Sequence, residues 1–523
     1  MKINRLLIAN RGEIAVRVMR ACREMGISTV AVFSEADRDA PHVGLADAAV
    51  EIGPGPAGES YLRIDRIVEA ARHSGADAVH PGYGFLSENA AFAQAVVDAG
   101  LTFVGPPAAV IELLGDKSAA KSLMEQAGVP VVPGYHGDDQ SATRLRKEAK
   151  SIGTPLLIKA AAGGGGRGMR VVRDLSTFEA LADEARREAA GAFGSGALLL
   201  ERYVERPRHI EVQIFGDTHG NAIHLFEREC SIQRRHQKIV EESPSTALTP
   251  ELRAQIVDAA LKAAKAAGYV GAGTVEFLLE GTRFYFLEVN TRLQVEHPVT
   301  EMITGLDLVK LQLRVAMGEA LPAFDPSAPI MGDSELAGGA ADVMPIQGYG
   351  HGTRKEPRGH AIEVRIYAED PSTGFLPSTG VLTQWIAPSG PGIRLDSGVE
   401  RGSTVSPFYD PMLAKLIAHG ETRMEAIDRL EQALMGFSVM GVKTNIPYLL
   451  DIVRHPAFRA GDLSTGFLAE HFAGWKPKAE IPVEVLLALA AEAVTAPKST
   501  AGPRGEAKVV SPWGDDRSWR NVK

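Results

Sequence analysis

Between Glu288 and Glu296 the chain alternates two kinds of side chain: Glu288, Asn290, Arg292, Gln294 and Glu296 are separated by Val289, Thr291, Leu293 and Val295. Residues two apart in an extended chain point to the same side. The spacing therefore predicts one strand whose polar face carries two carboxylates, two amides and a guanidinium. Upstream, the apolar segments Val275–Glu280 and Phe284–Val289 are joined by Gly281-Thr282-Arg283, which reads as a hairpin. A three-residue loop sets Glu276 opposite Glu288 on one face of neighbouring strands. Facing carboxylates repel unless a cation lies between them. Glu276, Glu288 and Asn290 offer oxygen ligands that suit Mg2+, and Mn2+ fits the same set. A solvated strand face is the plainer use of alternation, but a row of this composition beside an apolar run marks a site.

The 523 residues are enough for about three or four domains. Hydrophobic residues at 45% and charged residues at 23% fit an ordinary globular protein. A net charge of −9 gives no basic stripe, which argues against a nucleic-acid partner. The only two cysteines, Cys22 and Cys230, make no disulfide framework and point to a reducing compartment. No run approaches the ~20 apolar residues of a membrane span, and Met1–Arg11 lacks the apolar centre of a signal peptide. The expected location is cytoplasmic, with no membrane partner.

The N-terminal part alternates short apolar runs with helical spacing. Leu6–Ala9, Thr29–Phe33 and Ala76–His80 read as strands, and Glu13–Met25 and Tyr61–His73 as helices. That alternation predicts a parallel sheet covered by helices. Asn10-Arg11-Gly12-Glu13 has too few glycines for a dinucleotide fingerprint. His80–Phe85 forms a loop after the third strand, at the sheet edge where open α/β folds bind ligands. Farther on, the strand Pro155–Ala160 carries Lys159 and leads into Gly163-Gly-Gly-Gly-Arg-Gly168. Successive glycines let backbone N–H groups approach phosphate oxygens, and Lys159 makes that reading stronger than a flexible linker. No Gly-Lys-Ser/Thr closes the loop, so it is not a Walker loop. Lys117 offers a second phosphate contact. Glu227–Lys238 is too polar for a core, lacks a zinc ligand set, and reads as irregular chain near a strand.

Four segments carry a family resemblance: Leu7–Ala15, His80–Asn89, Glu229-Cys-Ser-Ile-Gln-Arg-Arg-His-Gln-Lys238 and Glu288-Val-Asn-Thr-Arg-Leu-Gln-Val-Glu-His-Pro298. Together they resemble biotin carboxylase, the ATP-grasp component of biotin-dependent carboxylases, from about Lys2 to Trp475. The resemblance implies a multidomain α/β and α+β fold. A Rossmann-like parallel domain would occupy 1–114, and an ATP-grasp domain 115–325 with a mobile glycine-rich lid at about 131–204. A C-terminal α+β domain would span 359–475, and a linker and tail 476–523. It further implies that ATP, bicarbonate and biotin yield carboxybiotin with Mg2+ or Mn2+. ATP would meet Lys117, Lys159, Gly164, Gly165, Gly166, His209, Gln233 and His236, with Glu201, Val204 and Leu278 around adenine. Glu276, Glu288 and Asn290 would hold metal. Lys238, Arg292, Gln294, the Val295 backbone and Glu296 would surround bicarbonate, with Glu296 as base. Arg365 and Tyr83 would face biotin.

The chain departs from the family pattern in three ways. Arg202 follows Glu201 where lysine is usual. Residues 326–358, rich in Gly and Pro, form an insertion of loop composition. No Met-Lys-Met biotin-attachment motif occurs, so biotin would ride on a separate carrier protein or domain, with a carboxyltransferase as second partner and a homodimer or larger complex as the assembly. A short helix is read at Val483–Ala493, and Trp513 and Trp519 close the tail. The alternatives are another ATP-grasp carboxylate ligase, which would need neither the bicarbonate row nor Arg365, and an inactive scaffold homologue. The first would share Lys159, the lid, Glu276, Glu288 and Asn290; the second does not account for a full set of metal ligands and base.

Overall fold

In the computed structural model, residues 2–161, 169–235, 237–321, 356–477 and 487 are described. The Gly164–Gly166 lid tip, His236, the 326–355 part of the insertion and the tail helix and tryptophans lie outside them. Residues 1–476 form one compact unit.

β1 (Arg5–Ile8), β2 (Ser28–Ser34), β3 (Ala48–Gly53), β4 (Ala78–His80) and β5 (Thr102–Phe103) form a parallel sheet in the order β3-β2-β1-β4-β5. Its centre is buried on both faces. Leu6 and Ile8 enter one core, and Leu7 enters the other. That is why β1 reads as an unbroken apolar run. β3 was absent from the expected elements because half of its residues are exposed and just one is buried, so the His80–Phe85 loop follows the fourth strand, not the third. The strand order reverses between β1 and β4, and the two strand ends are tied there. Asn10 Nδ2 donates to the carbonyls of Pro81 and Tyr83, both at 2.8 Å. Gly82 sits at φ +64°, and a Cβ there would lie 2.7 Å from Asn10 Nδ2. Only glycine admits that approach.

β6 (Gly134–Tyr135), β7 (Leu156–Ala160), β8 (Arg170–Val172) and β9 (Leu198–Arg202) make a small sheet backed by the helices Ala142–Ile152 and Phe178–Phe193. This is the segment expected to form the lid.

The largest sheet contains β10 (Arg208–Gly216), β11 (Ala222–Arg234), β12 (Gln237–Ser243), β13 (Gly271–Glu280), β14 (Arg283–Asn290) and β15 (His360–Tyr367). With the strands Met412–Gly420 and Ile393–Ser397 it is eight-stranded and antiparallel, in the order β14-β13-β10-β11-β12-β15 and then these two. Val240 pairs with Val364, so one sheet runs across the expected junction between the ATP-grasp and C-terminal regions. The strands alternate. Ile210, Val212 and Ile214 pack on the helix Pro250–Ala266, while His209, Glu211 and Gln213 point the other way. Ile362, Val364 and Ile366 pack on the helix Arg423–Gly436, leaving Glu363 and Arg365 on the polar face. The helix His297–Thr304 covers that face through Val299 and Ile303.

Three expectations are corrected. The strand expected from Glu288 to Glu296 ends at Asn290. Its hairpin partner β13 pairs Thr274 with Asn290, and the next helix starts at His297, with Glu296 at its N-cap and Pro298 in its first turn. Arg292, Gln294 and Glu296 therefore sit on a turn. The hairpin loop is two residues long, because Arg283 pairs with Glu280. Glu227–Lys238 is not irregular; it makes up the end of β11, the turn and the start of β12. Register shifts around Ile232 break the alternation that would have marked a strand.

Glu301 joins the three regions. It receives Arg17 of the helix Gly12–Glu24 at 2.8 Å and Arg394 of the strand Ile393–Ser397 at 2.8 Å, all largely buried. Arg17 also reaches Asp307 at 2.8 Å. Removing one partner of a buried ion pair strands the others. Glu301→Ala should lower stability by ~3–5 kcal/mol in urea unfolding; a loss below ~1 kcal/mol would show that the node does not hold the regions together.

Candidate active site

The polar face of the large sheet is built by register. Glu288 pairs across the strands with Glu276, Glu276 with Glu211, and Glu211 with Arg228. Three carboxylates thus stand side by side on three adjacent strands, an arrangement that repels without compensating cations. Arg228, fully buried, binds Glu211 and also donates to Gln213 Oε1 (2.7 Å), Thr300 Oγ1 (2.8 Å) and Gln294 Oε1 (2.8 Å). Lys238 Nζ donates to Glu211, to Glu276 Oε1 at 2.7 Å and to Glu296 Oε1 at 2.6 Å. Burial disfavours this ammonium, yet the three carboxylates hold its pKa well above the ordinary lysine value.

The expected residues converge although they do not share a strand. Glu276 Oε1 also accepts from Asn290 Nδ2 at 2.8 Å and Gln294 Nε2 at 2.9 Å. Its other oxygen lies 3.0 Å from His209 Nε2, though not aligned as a hydrogen bond, and Gln233 Nε2 is 2.8 Å from His209 Nδ1. Arg292 reaches Asn290 Oδ1 at 3.0 Å and Glu88 Oε2 at 3.0 Å. Arg365 on β15 bonds Glu241 at 2.6 Å and Glu296 Oε2 at 3.1 Å. Glu296 is therefore held at both oxygens. Burial opposes its ionisation, but Lys238, Arg365 and Arg228 outweigh that and keep it far below the usual carboxylate range. The Val295 carbonyl accepts from Lys415 Nζ at 2.7 Å.

Tyr83 does not meet Arg365 through its hydroxyl, which donates to Glu13. Lys415 Nζ lies 3.3 Å from the same carboxylate and 6.0 Å from the Tyr83 ring centre. The strand end carrying Tyr83 faces the N-terminus of the helix Gly12–Glu24, and that helix draws the hydroxyl to Glu13.

At the small sheet, Lys159 Nζ lies 2.5 Å from Glu201 Oε2, and Lys121 binds the other oxygen. Burial pushes the Glu201 carboxyl up, but the two lysines prevail and hold it at about 2. Val204, just beyond the end of β9, is buried, and Leu278 on β13 is half-buried. Arg202 binds Glu280 at 2.9 and 3.2 Å. Lys117 opens the helix Lys117–Gln126, whose N-cap is Asp116, and its charge acts on Glu288.

Glu276, Glu288 and Asn290 fit a divalent cation. Glu288 is pushed up by burial first and by the charge of Glu276 second, a repulsion that a dication between the two carboxylates would remove. Two other donor groups, His209 with Glu211 and Glu276, and Glu211 with Cys230 and Glu296, are close enough to ligate. Both crowd around Lys238, so a cation already sits there, and burial keeps the Cys230 thiol neutral. Glu211, Arg228, Glu241, Glu88 and Lys415 were not anticipated. Glu211 was readable from His209-Ile-Glu-Val-Gln213, which has the same alternation as the opening row; Lys415 and Glu88 meet the site only through tertiary contacts.

The model of the biotin carboxylase N-terminal domain matches residues 2–111, and that of its C-terminal domain residues 363–470. Between them, residues 116–324 match the ATP-binding domain of the carbamoyl-phosphate synthase L chain. A biotin carboxylase of Halalkalibacterium halodurans is 51% identical, covering 89% of this chain and 97% of that protein. The chain belongs to the biotin carboxylase family. The mitochondrial methylcrotonoyl-CoA carboxylase α-subunit of Mus musculus is 49% identical over 90% of the chain, but the match spans only 62% of that subunit. Among solved structures, a Campylobacter jejuni biotin carboxylase–beta-gamma-ATP complex superposes with a TM-score of 0.82 at 44% identity, covering 90% of this chain and 99% of that one. A biotin carboxylase domain dimer of the Hydrogenobacter thermophilus 2-oxoglutarate carboxylase, bound to MgADP, ADP and bicarbonate, gives 0.81 at 45% identity, with coverage of 90% and 98%. Within this family member, no described helix is long and apolar enough to cross a membrane.

The depressed Glu201 carboxyl gives a pH prediction. A carboxylate pKa lowered on folding stabilises above its unfolded value and loses that contribution as pH falls through the folded one. Between pH 4.5 and about 2 the wild type should therefore lose ~3 kcal/mol through this group. Glu201→Gln should be less stable at pH 7 and show a flatter acid limb in unfolding experiments. Parallel acid limbs would contradict the Lys159–Glu201–Lys121 account.

Proposed function

We propose that the protein carboxylates biotin with bicarbonate and ATP, through carboxyphosphate, as the first half-reaction of an acyl-CoA carboxylase acting on acetyl-, propionyl- or another acyl-CoA. The observation that carries this reading is Lys238, whose ammonium is shared by Glu276 of the metal pair and by Glu296, while Arg365 holds the second oxygen of Glu296. A nucleotide-side carboxylate and a base are thereby one lysine apart, as a reaction joining phosphate to a small anion needs.

In this reading Lys117, Lys159, His209, Gln233, His236 and the Gly164–Gly166 backbone hold the ATP phosphates, with Glu201, Val204 and Leu278 about the adenine. Mg2+ at Glu276, Glu288 and Asn290 supplies positive charge to the phosphates when bound. Arg292, Gln294, Lys238 and the Val295 backbone bind bicarbonate; a planar guanidinium suits a planar anion. A carboxylate held as low as Glu296 is a weak base. Bicarbonate competing for Lys238 and Arg292 loosens that hold and strengthens the base where the substrate proton lies. Glu296 takes the proton, the bicarbonate oxygen bonds to the γ-phosphorus, and the bond to the ADP oxygen breaks. Carboxyphosphate splits into carbon dioxide and phosphate. The phosphate removes the biotin N–H proton, and the nitrogen attacks carbon dioxide. Arg365 stabilises the negative ureido oxygen formed on the way.

The reading assigns 1–114 to the N-terminal domain, 115–325 to ATP-grasp with its lid at about 131–204, 326–358 to an insertion, 359–475 to the C-terminal domain and 476–523 to linker and tail. It assigns a separate biotin carrier and a carboxyltransferase as partners, a homodimer as the basic assembly and a cytoplasmic location, in keeping with the two buried free thiols.

ATP cleavage should depend on bicarbonate, and free biotin should yield carboxybiotin. Glu296→Ala should lower bicarbonate-dependent cleavage by about 100-fold or more. Arg365→Ala should reduce carboxybiotin formation several-fold more than bicarbonate-dependent cleavage. Full activity of the first variant, or equal losses in the second, would contradict these roles.

A further inference from the structure

Behind Arg365 the sheet buries a second pair of carboxyls that the proposed reaction does not use. Glu241 on β12 and Glu363 on β15 are register partners in adjacent antiparallel strands, and both are fully buried. Such neighbours have Cβ atoms about 4.5–5.5 Å apart on one face, so their carboxyl groups are within reach of each other. Glu241 Oε1 accepts from Arg365 Nε at 2.7 Å. Its other oxygen, and both oxygens of Glu363, have no hydrogen-bond partner among the described residues.

Two buried anions with three unpartnered oxygens between them would be strongly disfavoured. The nearby cations do not cover both. Arg365 is already divided between Glu241 and Glu296. Lys415, across from Arg365 on the strand Met412–Gly420, bonds the Val295 carbonyl and lies nearer to Glu13, at 3.3 Å, and to Asp396, at 3.9 Å. Lys238 on β12 is taken by Glu211, Glu276 and Glu296. The covering helix His297–Thr304 adds Glu296 at its N-cap, Glu301 bound to Arg17 and Arg394, and His297, whose pKa burial lowers well below the usual value. It brings no free cation to this pair. The helix Arg423–Gly436 packs on the opposite, apolar face.

We propose that Glu363 is a neutral acid sharing one proton with Glu241, and that it serves as a positioning residue for Arg365. One proton between the two carboxyls leaves a single negative charge behind the guanidinium, enough to orient it and too little to draw it away from Glu296 and from the substrate side. The inference deepens the function proposed above and rests on it for the role of Arg365. Burial first raises the pKa of both above the ordinary carboxylate value: at Glu363 it prevails over Lys415 with the charge of Glu241 added, and at Glu241 over Arg365 with the charge of Glu296 added. Groups raised in this way keep the proton at neutral pH and release it as pH rises. On the alkaline side the pair then carries two charges, Arg365 is pulled back, and biotin carboxylation falls.

The test pairs infrared difference spectroscopy with kinetics on the full chain. Wild-type protein at neutral pH should show a protonated-carboxyl C=O band that titrates at alkaline pH and is lost in Glu363→Gln. The amide keeps a donor toward Glu241 without a proton to lose. Glu363→Gln should therefore form carboxybiotin several-fold faster than Glu363→Ala, and its alkaline decline should move to higher pH. Absence of the band in the wild type would overturn the proposal. So would a Glu363→Gln profile matching wild type in its alkaline decline, or activity no better than Glu363→Ala. The band needs no turnover, so an inactive wild type would sink the functional reading while the spectrum still decided the shared proton.

Discussion

Glu288, Glu276 and Glu211 stand shoulder to shoulder on three neighbouring strands, and the rest of the site is a response to that crowding. Like charges opposite one another in a sheet are unfavourable, so each carboxylate is matched. Arg228 closes the row on the fourth strand, Lys238 reaches back from β12, and His209 stands by Glu276. Glu288, at the open end, is the least compensated of the three, its pKa raised by burial first and by Glu276 second. That end is where a divalent cation would complete the balance. The inner end is saturated by buried side chains, which fixes Lys238, Gln294 and Glu296 in place.

The same sheet explains why three sequence regions act together. β12 pairs with β15, so Lys238 and Arg365 belong to one surface although more than a hundred residues separate them. Lys415 links that surface to the N-terminal region through Glu13 and to the turn carrying Glu296 through the Val295 carbonyl. Glu301, one turn after Glu296, ties the same helix to Arg17 and Arg394. Glu296 therefore sits at a junction whose geometry is set from three sides.

Much of this was legible in the residues. The β13–β14 hairpin and the facing of Glu276 and Glu288 followed from period-two alternation and a glycine turn, and the N-terminal parallel sheet followed from its apolar runs. Alternation failed where the backbone left the strand. Arg292, Gln294 and Glu296 keep the spacing of a strand but occupy a turn, and reach the site because Pro298 and the N-cap at Glu296 bend the chain over the sheet. Bulges hid the β11–β12 hairpin for the converse reason: a true strand lost its period. Glu88, Lys415 and the Glu241–Glu363 pair were not readable, because their meaning lies in partners distant in sequence. The Tyr83–Glu13 bond was not readable for the same reason, since nothing local foretells that Glu13 captures its hydroxyl.

The central claim is that bicarbonate, held next to Glu296, attacks the nucleotide directly at this row of charges. The most direct measurement is the fate of oxygen when the protein turns over ATP with 18O-labelled bicarbonate, Mg2+ and biotin. Attack by bicarbonate predicts that the label appears in inorganic phosphate. Label confined to bicarbonate and carboxyl products, with phosphate oxygen drawn from water, would contradict the account.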